Sequence, residues 1–301
     1  MKVFITGGQG FVGTRLARTF LEKGFTVVAT GTRKSVHCGP RINYTYIATD
    51  TTQKGEWLSN VSDADIVINL AGRSIFHYWT PKYKQEIYDS RVLTTQNVMS
   101  ALPRNREMIL LSVSAVGFYG NRKEDILSES EPHGNDFLAR VCRDWEKAVT
   151  NIDSSNVRKI ILRSGIVLGA SGGALPKMML PYRFLVGGPI GSGQQWFPWI
   201  HIEDYARAVE FLIDMKTASG TFNLCSPLPI RNRYFSKCLA EVMRRPNFMV
   251  VPSFAIRLVL REFGETLLSS QRAHPDRLER LGFTFRYPEI KPALLDLRQN
   301  V

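Results

Sequence analysis

Three glycines at fixed spacing, Gly7, Gly10 and Gly13, stand in the stretch Val3-Phe4-Ile5-Thr6-Gly7-Gly8-Gln9-Gly10-Phe11-Val12-Gly13. Their chemistry is that of bare backbone. Gly7 and Gly10 permit a turn that side chains would block and let main-chain N–H groups approach a pyrophosphate, while Gly13 lets the next helix pack closely on the preceding strand. Val3 to Ile5 are apolar before the turn, and Leu16, Ala17, Phe20 and Leu21 follow at helical spacing up to Gly24. The turn therefore joins a buried strand to a helix N-terminus, whose free N–H groups and positive dipole end attract phosphate. This context predicts a dinucleotide site in which Gly7, Gly10, Phe11, Val12 and Gly13 form the pyrophosphate loop.

The tip of the second strand selects between dinucleotides, because an acidic residue there reads a free ribose 2′-hydroxyl. Val27-Val28-Ala29-Thr30 is that strand and no acid ends it; the chain continues Gly31-Thr32-Arg33-Lys34-Ser35. Thr32 and Arg33 suit a 2′-phosphate, which Arg can grip with two parallel hydrogen bonds. The expected cofactor is NADP(H), the alternative being that Arg33 and Lys34 form a solvated loop. Asp50, ending a third strand from Asn43 to Ala48, can accept the adenine amino group or cap a helix. A fourth strand, Ile66 to Leu70, runs into Ala71-Gly72, where small residues let Leu70, Ala71 and Gly72 pass close to the cofactor.

Strands and helices must alternate to hold such a site, and they do. A helical stretch from about Pro81 to Leu102, a strand from Met108 to Val113, a helix from Asn135 to Thr150 and a strand from Arg158 to Arg163 follow in order. The pattern argues an α/β, doubly wound parallel sheet (Rossmann). Residues 1–165 are expected to form the NADP-binding domain, its sheet completed by later segments, and 166–301 a smaller C-terminal substrate-binding lobe and tail. Beyond Gly165 the rhythm breaks at Gly169 to Gly173 and Val186 to Gly193, glycine-rich loops expected to border a site or form a lid. A further strand and helix, Trp196 to Met215, precede Thr221 to Leu224, a helix near Tyr234 to Met243 and a mixed tail.

At 301 residues and 44% hydrophobic composition the chain can bury a large core. No apolar run reaches membrane-span length and no secretory signal pattern opens the chain, so a cytoplasmic protein without a membrane partner is expected. Cys38, Cys142, Cys225 and Cys238 lack metal-ligand spacing and read as reduced thiols, with no metal expected. The net charge of +12 forms no long basic run beyond pairs such as Arg244-Arg245. Nucleic-acid binding is not expected, and the charge can steer a phosphorylated cofactor and an anionic small-molecule substrate inward.

Taken together, the chain resembles the extended short-chain dehydrogenase/reductase superfamily, which contains the nucleotide-sugar epimerases and dehydratases. The resemblance rests on Thr6 to Gly13, Asn69-Leu70-Ala71-Gly72, Ser112-Val113-Ser114-Ala115-Val116 and Trp199-Ile200-His201-Ile202-Glu203-Asp204. Ser90-Arg91 with Thr94-Thr95, Gly117-Phe118-Tyr119-Gly120, Trp145-Glu146, Gly187 to Gly193 and Gly282-Phe283 are similar to its atypical, epimerase-like branch, labelled as cell-division inhibitors.

The resemblance implies hydride chemistry in which a Tyr moves the proton, a Lys one turn later lowers its pKa and a Ser orients the substrate oxygen. Ser114 matches the Ser, although a strand-end hydroxyl can also simply cap a turn. Alignment on Glu146 puts Leu138 at the Tyr position and Cys142 at the Lys position, so the pair is missing. Tyr78/Lys82, Tyr119/Lys123 and Tyr287/Lys291 have the right spacing but lie outside that helix. Arg91 stands where the superfamily has an Asn, and either takes over electrostatic work near the nicotinamide or is a helix-surface Arg. Tyr119 can project into the Ser114 cleft; His201 is read as structural. Ser114, Tyr119 and Arg91 are thus the catalytic candidates, with Arg91 also a cofactor contact. The expected function is an NADP(H)-dependent oxidoreductase or epimerase on a small carbonyl or sugar-nucleotide-like substrate. The alternative is a non-catalytic NADPH sensor. The superfamily habit also makes a homodimer an expectation.

Overall fold

The computed structural model describes residues 1–34, 42–152 and 155–299; Ser35 and Cys38 lie outside them. β1 (Lys2–Thr6) leads through the glycine turn into α1 (Phe11–Glu22), followed by β2 (Thr26–Gly31) and β3 (Tyr44–Ala48). Next come α2 (Trp57–Asp63), β4 (Ile66–Asn69), α3 (Pro81–Ser100) and β5 (Met108–Ala115). A 3-10 turn (Val116–Tyr119) and the short β6 (Ile126–Leu127) precede α4 (Phe137–Thr150) and β7 (Val157–Ser164). β8 (Ile166–Gly169), β9 (Gly172–Gly173), α5 (Leu175–Arg183), β10 (Trp196–Phe197) and β11 (Trp199–His201) lead to α6 (Ile202–Asp214) and β12 (Gly220–Leu224). The last elements are β13 (Ile230–Arg231), α7 (Asn232–Met243), α8 (Ser253–Leu268), β14 (Arg272–Ala273), α9 (Asp276–Arg280) and α10 (Ile290–Gln299).

Among the described residues the central sheet has seven strands in the order β12-β7-β5-β4-β1-β2-β3, every neighbouring pair parallel. Strand order reverses between β1 and β4, so the loops after these two strands diverge and leave a crevice at their carboxyl ends. The alternation of side chains feeds two cores. Val3 and Ile5 join Leu16, Phe20, Val209 and Leu212 beneath α1 and α6. Phe4 faces the other way, stacked on Trp57 at 6.0 Å and packed with Val67, Leu110 and Val149. Burial on both faces is why these strands read as unbroken apolar runs.

The helices start where their caps dictate. Thr80 Oγ1 accepts from Tyr83 N, with Pro81 at the first turn of α3, and Asp136 Oδ1 accepts from Ala139 N at 2.9 Å to open α4. A third core, including Leu168, Leu175, Trp199, Phe235 and Leu294, joins β8, β11, α5, α7 and α10. One glycine segment departs from expectation. Gly169 and Gly172-Gly173 are not a free loop but the antiparallel β8–β9 pair, whose bare backbone lies against the Phe11 ring. Phe11 is thereby clamped between the glycine turn and the later segments.

Candidate functional site

The turn after β1 is built as its glycines require. Gly7 has φ +66°, and a Cβ on Gly13 would stand 2.5 Å from Gly7 O, so any side chain there would push the helix off the turn. Gly7, Thr32, Asp50, Ala71 and Gly72 line one recess of about 470 Å³. Gly10, Phe11 and Arg33 line another of about 800 Å³, together with Gln9 and Arg18. Gln9 is a contributor the sequence reading missed: its amide oxygen and nitrogen are buried without hydrogen-bond partners. Val12 and Leu70 line neither recess; both pack against the core and back the turn. Asp50 Oδ1 accepts from Thr52 N and Oγ1, so Asp50 closes a turn while lining the recess.

A buried polar network fixes the loop after β4. Thr6 Oγ1 donates to Asn69 Oδ1 at 2.7 Å and accepts from Leu70 N and Ala71 N. Asn69 Nδ2 donates to Thr95 Oγ1 and Ser112 Oγ; Thr95 Oγ1 also accepts from Trp145 Nε1 and donates to Arg91 O. The half-buried Arg91 donates from Nη1 to Ile87 O and lies 5.3 Å over Trp145, with no carboxylate partner among the described residues. Its guanidinium is under Gly72, where a Cβ would come within 3.1 Å of Cζ. Desolvation lowers its pKa from the usual arginine value. The neighbouring Cys142 thiol opposes that lowering.

Two of the catalytic candidates, Ser114 at the end of β5 and Tyr119 in the 3-10 turn after it, pair with groups inside the core. Ser114 is 1% exposed and its Oγ donates to Glu146 Oε1 at 2.7 Å. Its neighbour Ala115 is the residue of that strand end that lines the cleft, so the cleft wall carries a methyl where a hydroxyl was expected. Tyr119 is fully buried and points the other way, donating to Asn223 Oδ1 and accepting from Arg163 Nη1 at 3.0 Å. Burial pushes its pKa up to about 12 despite Arg163. Arg163 in turn grips Glu146 from Nε and Nη2 at 2.9 and 2.8 Å, both partners being buried. Ser114 and Tyr119 thus belong to one structural ion-pair network. The signal for it was an arginine directly after the apolar run Ile160 to Leu162.

On α4, Leu138 lines the cleft and Cys142 is buried. Burial, with Glu146 nearby, pushes the Cys142 thiol up to about 12 against the opposing effect of Arg91. It is a packed thiol at neutral pH. His201 is 1% exposed, stacks on Tyr287 at 4.0 Å, accepts from Glu203 N and faces Asp296, the structural placement expected of it. Tyr287 and Lys291 do not form a unit, since Lys291 pairs with Glu241.

The cleft past Ala115 and Leu138 measures about 340 Å³. Phe76, Met178, Trp196, Phe263 and Leu267 line much of it. Phe263 and Leu267 come from α8, in the tail that read only as mixed helix and loop. Among the described residues no group of three or more His, Cys, Asp and Glu could hold a metal, and no helix is long and apolar enough to cross a membrane.

Comparison with known proteins places these features in a wider set. Residues 3–225 match the model of the NAD dependent epimerase/dehydratase family, and residues 251–297 match a domain of unknown function, DUF1731. Epimerase family protein SH2119 of Staphylococcus haemolyticus is 38% identical, the match covering 99% of each chain. The chloroplastic epimerase family protein SDR39U1 homolog of Arabidopsis thaliana is 34% identical over 99% of this chain and 87% of its own. The crystal structure of human epimerase family protein SDR39U1 with NADPH superposes with a TM-score of 0.87 at 28% identity, covering 100% of both chains.

Proposed function

The chain belongs to the NAD dependent epimerase/dehydratase family, and on that premise we propose that it is an NADP(H)-dependent oxidoreductase or epimerase of a small carbonyl or sugar-like substrate, working without the Tyr/Lys pair. The observation that carries the reading is the cradle: a glycine turn that a Cβ on Gly13 would fill, beside an exposed Arg33 and an unpartnered Gln9 amide. The human relative crystallised with NADPH supports the same cofactor. Gly7, Gly10 and Gly13 with the α1 N-terminus would hold the pyrophosphate, Thr32 and Arg33 the 2′-phosphate, and Asp50 the adenine.

When bound, the reduced nicotinamide supplies a hydride that, with one proton, converts a C=O group to CH–OH. The chain's own contributions are positional and electrostatic. Arg91 under Gly72 holds positive charge beside the cofactor path, where it stabilises developing negative charge without exchanging a proton. Since Ala115 and Leu138 offer no acid, the proton is drawn from a water admitted to the cleft, and the hydroxide left behind returns to solvent. Beyond completing the central sheet with β12, the later segments, 166–301, supply the substrate lobe. The same two apolar positions favour a second reading, an NADPH-binding protein that reports redox state without turnover.

Calorimetric titration with NADPH and NADH, followed by stopped-flow fluorescence of the NADPH complex against small carbonyls and sugar nucleotides, tests both. NADPH preference with oxidation by one class establishes the enzyme. Tight NADPH binding with no oxidation of any compound favours the sensor, and absence of NADPH binding defeats both readings.

A further inference from the structure

We propose that the cleft beside Ala115 takes an uncharged, largely apolar carbonyl compound and excludes nucleoside diphosphate sugars; this deepens the oxidoreductase reading above and rests on it. The first ground is charge. Among the described residues the only ionisable side chain lining the cleft is Asp136, a carboxylate already spent on capping α4 through Ala139 N. A diphosphate brings two negative charges that need cations or free N–H groups once water is removed. At this wall it meets a carboxylate instead.

The cations that lie over the rings of the lining are not themselves part of the wall. Arg231 and Arg272 lie 4.3 and 4.6 Å over the Trp196 ring, and Arg231 holds Glu124 through Nη1 and Nη2 at 3.0 and 2.8 Å. Lys177 lies 4.9 Å over the Phe76 ring. α5 begins at the wall, but Pro176 removes one of its free donors.

The second ground is the inventory of polar groups. Gln195 Nε2 donates to Ile190 O, Asn232 Oδ1 accepts from Ile190 N, and Ser164 Oγ is shared with Tyr205 Oη. These three neutral polar side chains are therefore engaged in holding the wall together. Apart from Thr266 and Gln271, most of what remains is aromatic and aliphatic surface, with contributions from α4, α5 and α8, suited to a hydrocarbon body.

The experiment titrates 2-naphthaldehyde and, separately, UDP-glucose into the full chain saturated with NADPH. The aldehyde is expected to bind, and UDP-glucose neither to bind nor to displace it. Leu138→Arg, which places an unpaired charge in the wall, is expected to weaken the aldehyde at least about tenfold while leaving NADPH affinity in place. Phe263→Ala, removing a lining ring from a different helix, is expected to weaken it in the same direction should the first variant fail to fold. Displacement of the aldehyde by UDP-glucose overturns the proposal, as does failure of the aldehyde to bind. If NADPH itself does not bind, the oxidoreductase reading falls separately, and titration of the aldehyde into the bare chain still decides what the cleft accepts.

Discussion

The turn after β1 and the strand end after β5 lie at the same edge of one sheet, yet they were shaped by different demands. The first is backbone geometry. Gly13 is needed because atoms of the turn itself occupy the space of a side chain, and Gly7 because its φ is positive and the loop after β4 presses against it; such needs leave an unmistakable residue type. The second depends on which way each side chain faces. Ser114 looks inward to Glu146 and Ala115 outward to the cleft, so a shift of one residue exchanges a hydroxyl for a methyl. A backbone-built site keeps its identity in composition, whereas a side-chain-built site can be emptied while its neighbours still resemble the family.

The comparison breaks most readily at the ion pair behind β5. Glu146→Ala leaves Arg163 charged and buried, and is expected to cost about 3–5 kcal/mol of stability, read as a lower denaturation midpoint at an unchanged denaturant slope. If NADPH affinity of the folded variant fell as well, the two regions would not be independent. Gly13→Val attacks the other region: NADPH affinity is expected to fall at least about 100-fold, near 2.7 kcal/mol, as measured by calorimetry. An unaffected cofactor affinity would remove the turn from the site.

Smaller effects sharpen the contrast. Arg33→Ala is expected to weaken NADPH about tenfold and leave NADH within a factor of two, so that the ratio of the two dissociation constants reads the 2′-phosphate contact alone. Tyr119→Phe leaves Asn223 and Arg163 each short of a partner and should cost about 1–3 kcal/mol, with no change in the pH profile of any turnover; a shifted profile would return Tyr119 to the chemistry. The smallest effect is at His201, whose pKa burial lowers against the pull of Asp296. The unfolded chain takes up a proton near pH 6.5 that the folded state resists. Stability is therefore full above that pH and declines as the solution is acidified toward the lower, folded value. His201→Gln should flatten that part of the curve in thermal melts between pH 5 and 8.

What could be read from the sequence follows the same division. The doubly wound sheet was legible because Val3 to Ile5 and Ile66 to Ile68 must be apolar on both faces, and α4 as the stretch Asn135 to Thr150, which the Asp136 cap starts at Phe137. Thr32, Arg33 and Ala71-Gly72 fall at strand tips, where position alone brings them to the crevice. The inward pairing of Ser114 and Tyr119 was not legible because their partners, Glu146, Arg163 and Asn223, lie 32, 44 and 104 residues away in the chain, beyond any local pattern. α8 was missed as a wall of the cleft because its packing with Trp79, Phe137 and Leu138 is made entirely through the fold.

The edge strand β12 has a consequence for how the molecule is made. It pairs with β7 in the register Gly220 to Ile160 through Leu224 to Ser164, so β7 has no neighbour on that side until about sixty further residues have been synthesised. A nascent chain that has reached the end of β7 therefore presents an open, apolar edge to its surroundings, a template for pairing with another chain. Fragments ending near residue 165 should aggregate during expression, and those reaching beyond Leu224 should not.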